Sequence, residues 1–168
     1  MNEFQRQLYE QLLNGEPISS ATSRFTRTME QFVIDYGWWY DPSPLPDGFE
    51  SGKAQQCHKN AYMLSAKHNE LIYCEGFALS KDSLLPTLHS WVTDGQGRAL
   101  DNTWQEPGIA YAGVPFKYLF VTKTTFQNGA SISLLDDWQN NHPLRGELGD
   151  LPDEWYERAG EGLTKILS

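Results

Sequence analysis

The sequence predicts one α+β domain in which helices from the first 70 residues pack on an antiparallel sheet. The chain has 168 residues, a length that fits a single hydrophobic core. Apolar residues recur at helical spacing before residue 70, whereas β-branched and aromatic runs dominate residues 71–104. We therefore expect residues 1–168 to form one domain.

Composition and charge exclude several classes of protein. Hydrophobic residues make up 39% of the chain and the mean hydropathy is −0.55, as is typical of a globular protein. The net charge of −9 repels phosphate backbones and anionic membranes, so we expect neither nucleic acid nor membrane as a partner. The chain has no signal-peptide pattern, which predicts a cytoplasmic location. Cys57 and Cys74 are expected to be reduced thiols.

Two helices and a loop are predicted before residue 53. Residues 4–13 have helical spacing, and the run ends at Gly15 and Pro17. A second helix, capped by Ser19 or Ser20, ends near Gly37 and carries Phe25, Met29, Phe32 and Val33. Three prolines and two glycines then predict a loop over residues 40–52.

A third helix and three strands follow this loop. Residues 56–68 predict a helix with Cys57 in its first turn and an apolar face formed by Ala61, Met63, Leu64 and Ala66. Residues 71–79, 87–93 and 98–104 predict strands, and the last two form a hairpin over the string DGQG. Residues 118–126 fit either a helix or a strand, and residues 152–167 predict a helix that begins at Pro152.

A thiol at the start of a helix is a candidate nucleophile. The free N–H groups and the positive end of the helix dipole favour the thiolate of Cys57. His89 shares one strand face with Trp91, where its imidazole is a candidate base. Asp101 or Asn102 would hold that imidazole in one orientation.

The hairpin register bears on the choice between Asp101 and Asn102. A loop of residues 94–96 places His89 opposite Asp101, whereas a two-residue loop places it opposite Asn102. Gly97 suits the left-handed position that follows the longer loop, and a carboxylate also stabilises a charged ring. Asp101 is the favoured candidate and Asn102 the alternative.

Other polar and aromatic residues complete the candidate site. An oxyanion hole needs a donor besides the Cys57 N–H, and Gln55 or Gln56 stands beside it; we select Gln56. Further residues are expected to line the substrate cleft: Trp91, Trp104, Asn60 and Glu75.

The order of these motifs resembles the transglutaminase-like branch of the papain-like cysteine enzymes. The matching features are the Gln-Cys pair at Cys57, Gly76 on the strand before the histidine, His89 in HSW and Asp101 in LDNTW. The chain departs from that pattern at His58, where the family has a bulky residue, and at Asn102, where proline is common. The resemblance covers residues 55–105 and implies a papain-like or transglutaminase-like fold.

The resemblance also implies a reaction class. It implies a cysteine hydrolase of the peptidase, amidase or deamidase type, or an acyltransferase, that uses a Cys-His-Asp triad without a cofactor. The substrate would be a protein, a peptide or a small amide. No metal site is expected, because His58, His68 and His142 have no second Cys or His at metal-binding spacing. The alternative is a non-catalytic binding or inhibitory module on the same fold, associated with a phage or a toxin–antitoxin system.

Overall fold

Five strands form a closed sheet at the centre of the structure. The computed structural model describes residues 1–15, 27–128, 133–140, 142–146, 152–157 and 163–167. The regular elements of this part of the chain are α1 (Glu3–Leu13), α2 (Met29–Tyr36), β1 (Trp38–Ser43), α3 (Cys57–Lys67), β2 (Ile72–Leu79), β3 (Thr87–Thr93), β4 (Arg98–Leu100), β5 (Ala110–Phe116) and α4 (Tyr118–Asn128). Around the barrel the strand order is β1-β4-β3-β2-β5. The structure therefore belongs to the mixed α+β class.

The first two helices begin at polar caps. Asn2 and Gln5 form a reciprocal capping box at α1, whose Leu8 and Leu12 are buried. Helix α2 is capped by Thr28 and ends at Gly37, as expected. The predicted caps Ser19 and Ser20 lie outside the described residues, as does Phe25, but Thr28 shows that this helix begins later than predicted.

The predicted loop over residues 40–52 is wrong in its first part, because β1 runs through it. Residues 38–40 pair antiparallel with β5, and residues 41–43 pair parallel with β4. The Asp41 N–H donates to Gly97 O at 3.0 Å, so Pro42, one residue later, directs its nitrogen away from β4. Proline is therefore compatible with this strand, and the aromatic run before it supplies the strand propensity.

The hairpin register also differs from the prediction. Thr93 pairs with Ala99 instead of Gly97, and β4 ends at Leu100 instead of continuing to Trp104. Gly97 does adopt the left-handed conformation, with φ of 77°. The Asp94 carboxylate accepts from the N–H groups of Gln96 and Arg98, which holds a longer loop than expected.

The C-terminal part decides one open alternative, corrects one expectation and adds one strand that was not predicted. Residues 118–126 are helical and belong to α4. The helix predicted over residues 152–167 is wrong for the described residues, since Tyr156 bridges to Phe116 and Lys165 to Trp38; residues 158–162 lie outside the described residues. The strand β5 was missed altogether, and this strand closes the sheet against β1 and β2. Backbone pairing with the barrel takes the place of the helical hydrogen bonds.

Both faces of the sheet are buried. The barrel interior is filled by Tyr40, Cys74, Ala78, Trp91, Ala99 and Tyr111. The outer face packs against the helices through a larger cluster that includes Leu8, Phe32, Leu64, Phe77 and Val92. Met63 was expected in the apolar face of α3, but its side chain is 44% exposed.

The short strand β4 sets the place of the candidate site. Only Val92 and Thr93 of β3 pair with β4. The first half of β3 therefore pairs with β2 on one side and does not pair with β4 on the other. Helix α3 packs against β3 and β2. His89 lies in this half of β3, and the chain beyond Leu100 bends back towards it. In the described part of the chain, every helix is too short or too polar to cross a bilayer.

Candidate active site

Cys57 is the first residue of α3 and is half-buried. The chain turns into this helix through Gln55, whose φ of 62° is left-handed, and through Gln56 at the cap position. The Gln56 side chain makes no capping hydrogen bond, so the first N–H groups of α3 are left for another acceptor. The thiol and these donors therefore lie at the same end of the helix.

Hydrogen bonds of two asparagines, Asn60 and Asn102, connect the loop before Cys57 to the loop that carries Asp101. Asn60 Nδ2 donates to Lys53 O at 2.7 Å and to Thr103 Oγ1 at 2.9 Å. Asn102 Nδ2 donates to Asn60 O at 3.2 Å, and the Gly52 N–H donates to Asn102 O at 2.6 Å. Both asparagines are buried and bind protein groups. Asn60 therefore positions the loop, which differs from the substrate contact expected of it.

His89 and Asp101 form a buried pair. His89 Nε2 donates to Asp101 Oδ2 at 2.7 Å, and the Tyr111 hydroxyl donates to the same oxygen at 3.0 Å. The other oxygen, Oδ1, accepts from the N–H groups of Thr103 and Trp104. The carboxylate is thus held in one orientation, and His89 Nδ1 remains the ring nitrogen for the thiol. Asp101 orients His89, whereas the side chain of Asn102 points to other partners.

The indole of Trp104 covers the imidazole of His89. The two rings are stacked with their centroids 4.1 Å apart. Trp104 also borders two adjacent cavities. One of about 660 Å³ is lined by Ser80, Lys81, Thr87, Thr103 and Glu106, and one of about 340 Å³ by Pro44, Phe49, Asp101 and Pro107. Trp104 therefore lies at the wall of both cavities, and the substrate contact expected of it stays a prediction.

The surroundings of Cys57 favour the thiolate. Burial raises the pKa of Cys57, but hydrogen bonds and charge from His58 and His89 outweigh this and lower the pKa to about 6. Burial lowers the pKa of His89, but the hydrogen bond to Asp101 and the interaction with Cys57 raise it to about 9. Between these two values a thiolate faces a protonated imidazole.

A second network of hydrogen-bonded side chains, formed by His58, Ser90, Tyr73 and Glu75, lies beside Cys57 on the outer face of the sheet. His58 Nδ1 lies 2.6 Å from Ser90 Oγ and 3.5 Å from Glu75 Oε2. The Tyr73 hydroxyl donates to Glu75 Oε2 at 2.7 Å and lies 3.0 Å from Ser90 Oγ. The sequence alone did not indicate a role in the site for His58, Tyr73 or Ser90. The available signal was the histidine directly after Cys57, where the family that the sequence resembles has a bulky residue.

Two residues expected in the cleft are placed elsewhere. Trp91 is fully buried in the barrel, edge-on to Tyr40 and Tyr111, because its strand face points into the interior. Glu75 is fully buried and accepts hydrogen bonds from the N–H groups of Leu134 and Leu135 as well as from Tyr73. Neither side chain is exposed to a cleft, so the substrate contact expected of both residues is wrong. Trp91 is part of the barrel core, and Glu75 belongs to the hydrogen-bonded network around His58.

The sulfurs differ strongly in environment. Both cysteines are free, and Cys74 is fully buried in the barrel, where burial raises its pKa.

Among the described residues, no cluster of three or more His, Cys, Asp or Glu side chains is arranged to hold a metal ion. Comparisons with family models, with curated proteins and with solved structures found no match to this chain.

Proposed function

We propose that this protein is a thiol-dependent enzyme that cleaves or transfers an acyl group at an amide or ester bond, on a fold related to the papain-like and transglutaminase-like enzymes. The carrying observation is the buried His89–Asp101 pair, 2.7 Å between Nε2 and Oδ2, whose imidazole interacts with a thiol at a helix N-terminus. A thiol, an imidazole and a carboxylate in series are the components of nucleophilic acyl transfer.

In the first half-reaction the Cys57 thiolate attacks the carbonyl carbon. The N–H of Cys57 and the amide of Gln56 are the candidate donors to the oxyanion. When the tetrahedral intermediate collapses, the bond to the leaving group breaks and protonated His89 gives its proton to that group. The product is a thioester on Cys57 and a neutral His89.

In the second half-reaction His89 takes a proton from the incoming nucleophile. Water gives a carboxylic acid, whereas an amine gives a new amide, and in both cases the C–S bond breaks and the thiolate returns. We favour hydrolysis, because water needs no second binding site. The resemblance implies a protein, a peptide or a small amide as the substrate, and the net charge of −9 opposes binding of nucleic acid.

Turnover of p-nitrophenyl acetate tests the proposal. We expect an acetyl group on Cys57 in the mass spectrum and steady release of acetate, and both Cys57→Ser and His89→Ala should reduce turnover by about 100-fold or more. Cys74→Ser is the matched control, because its thiol is buried in the barrel and should leave turnover unchanged. An adduct that forms at an ordinary thiol rate and is never released, with or without His89, would favour the binding module instead.

A further inference from the structure

The proposed mechanism uses His89 and Asp101. It gives no role to the network of side chains that links His58, through Ser90 and Tyr73, to Glu75. Glu75 is a fully buried carboxylate, and burial alone would raise its pKa. The charge of His58 and hydrogen bonds from Ser133 and the Leu135 N–H reverse this, so the pKa lies below its usual value. A buried negative charge next to the nucleophile would oppose a thiolate unless a cation stood between them.

The hydrogen bonds fix where the proton on His58 lies. Tyr73 has a single hydroxyl proton, which it donates to Glu75, so Ser90 must be the donor in the Ser90–Tyr73 contact. The Ser90 hydroxyl has no second proton, so it cannot also donate a hydrogen bond to His58. Therefore His58 Nδ1 is the donor to Ser90 Oγ, and Nε2 is the ring nitrogen left for the sulfur of Cys57.

The same proton count, applied to the sulfur, favours two charged imidazole rings. Both His58 and His89 carry a proton on the nitrogen that faces their acceptors, Ser90 and Asp101, and both rings interact with Cys57. A neutral thiol has one proton and can donate to only one of the two remaining nitrogens. A thiolate that accepts from two imidazolium rings satisfies all three groups.

We propose that His58 is a second catalytic imidazole, which stays protonated through the whole cycle and donates to the sulfur, and that Glu75 is the residue that positions it. This inference rests on the proposed thiol chemistry and assigns the two rings different tasks. His89 moves the proton to the leaving group and back from water. His58 keeps its proton and stabilises the sulfur anion each time that it forms.

The step that depends most on His58 is the breakdown of the thioester. Water adds to the carbonyl carbon while His89 takes its proton; then the C–S bond breaks and the electron pair returns to sulfur. His89 holds the proton taken from water. In this proposal His58 donates from Nε2 to the sulfur, so the leaving thiolate is stabilised without further proton transfer. The titratable groups that face His58 are Cys57 on its own helix and Tyr73 and Glu75 on β2.

The test is the pH dependence of Cys57 alkylation by iodoacetamide. The wild-type midpoint should lie near pH 6, the pKa of Cys57. His58→Gln should raise this midpoint by at least about one pH unit, because one of two cations beside the sulfur is lost. Glu75→Gln should raise it in the same direction. His68→Gln, at the other end of α3, is the matched control and should leave the midpoint unchanged.

A kinetic measurement separates the two rings. With p-nitrophenyl acetate, His58→Gln should still form the acetyl enzyme but release acetate about tenfold more slowly or worse, whereas His89→Ala should impair both half-reactions. An unchanged midpoint and an unchanged release rate in folded His58→Gln would overturn the role of His58 and leave the triad intact. A wild-type midpoint near the ordinary thiol value of about 8.5 would instead overturn the proposed function itself.

A measurement on the wild-type protein does not depend on the folding of any variant. The ring proton resonances of His58 and His89 can be assigned by NMR and followed with pH. We expect both rings to remain charged at pH 8, and His58, with a pKa raised to about 10 chiefly by Glu75 against the effect of burial, to lose its proton last. A His58 ring that titrates near its ordinary value of about 6.5 contradicts the proposal.

Discussion

The indole of Trp104 lies nearly parallel to the imidazole of His89, at 18° between the ring planes. This contact covers one face of an imidazole that Asp101 already holds at its edge through Nε2. An aromatic face next to a charged ring is attractive and keeps the ring in one orientation. In the proposed mechanism the stacked tryptophan would therefore help to keep His89 in position as the base.

Replacing Trp104 tests this relationship. We expect Trp104→Ala to lower kcat/KM for p-nitrophenyl acetate by about tenfold, since a cation–π contact of this kind contributes about 0.5 to 2 kcal/mol. Trp104→Phe keeps an aromatic face and should retain most of the activity. If the alanine and phenylalanine variants have the same kcat/KM, the stacking has no catalytic role.

The pH profile of activity follows from the two shifted groups. The thiolate of Cys57 forms as the pH rises through about 6, and the His89 proton is lost as the pH rises through about 9. We therefore expect a bell-shaped profile of kcat/KM with limbs near these values. In Asp101→Asn the falling limb should move to lower pH, because the carboxylate that raises the pKa of His89 is gone. A single rising limb near the ordinary thiol value would contradict the assignment.

Gly76 allows the strands around His89 to approach each other. It pairs with His89 on one side and Gly113 on the other, and an added Cβ would lie 2.1 Å from the carbonyl oxygen of Ala112. Gly76→Ala should therefore destabilise the fold by about 2 kcal/mol or more, measured by urea unfolding. Gly95→Ala is the control, because a Cβ there meets nothing within 4 Å. Equal stability of the two variants would show that the close approach is not required.

The buried face of α3 is tested by two adjacent residues. Leu64 is 3% exposed and Met63 is 44% exposed. Leu64→Ala should cost about 2 to 5 kcal/mol of unfolding free energy, because it leaves a cavity under the nucleophile helix. Met63→Ala should change the unfolding free energy by less than about 0.5 kcal/mol. A near-neutral Leu64→Ala would mean that this helix does not pack on the sheet as described.

The local elements that carry the candidate triad were predictable from the sequence. Helix α3 begins at Cys57 and β3 spans Thr87–Thr93, as the periodicity of each segment indicated. The hairpin register was wrong by two residues, yet Asp101 still meets His89. A shift by two residues keeps a side chain on the same face of a sheet, so the barrel-facing position of Asp101 is unaffected by this error.

Other features depend on tertiary contacts that no local pattern encodes. Strand β1 contains Pro42 and was read as a loop, since its place in the sheet depends on partners more than 50 residues away, such as Arg98 and Ala99. The role of Glu75 could not be read from its strand either. The carboxylate oxygens of Glu75 accept hydrogen bonds from the N–H groups of Leu134 and Leu135. A buried carboxylate is expected only when such partners are known.

The closed sheet has a consequence for the order in which the candidate site assembles. Trp38 pairs with Gly113, so the ring of strands cannot close until most of the chain has left the ribosome. Before that stage the Tyr111 hydroxyl, which lies on β5, cannot donate to Asp101, so the His89–Asp101 pair lacks one of the contacts that orient it. In the proposed enzyme the candidate triad would therefore reach its final geometry only after β5 has joined the sheet.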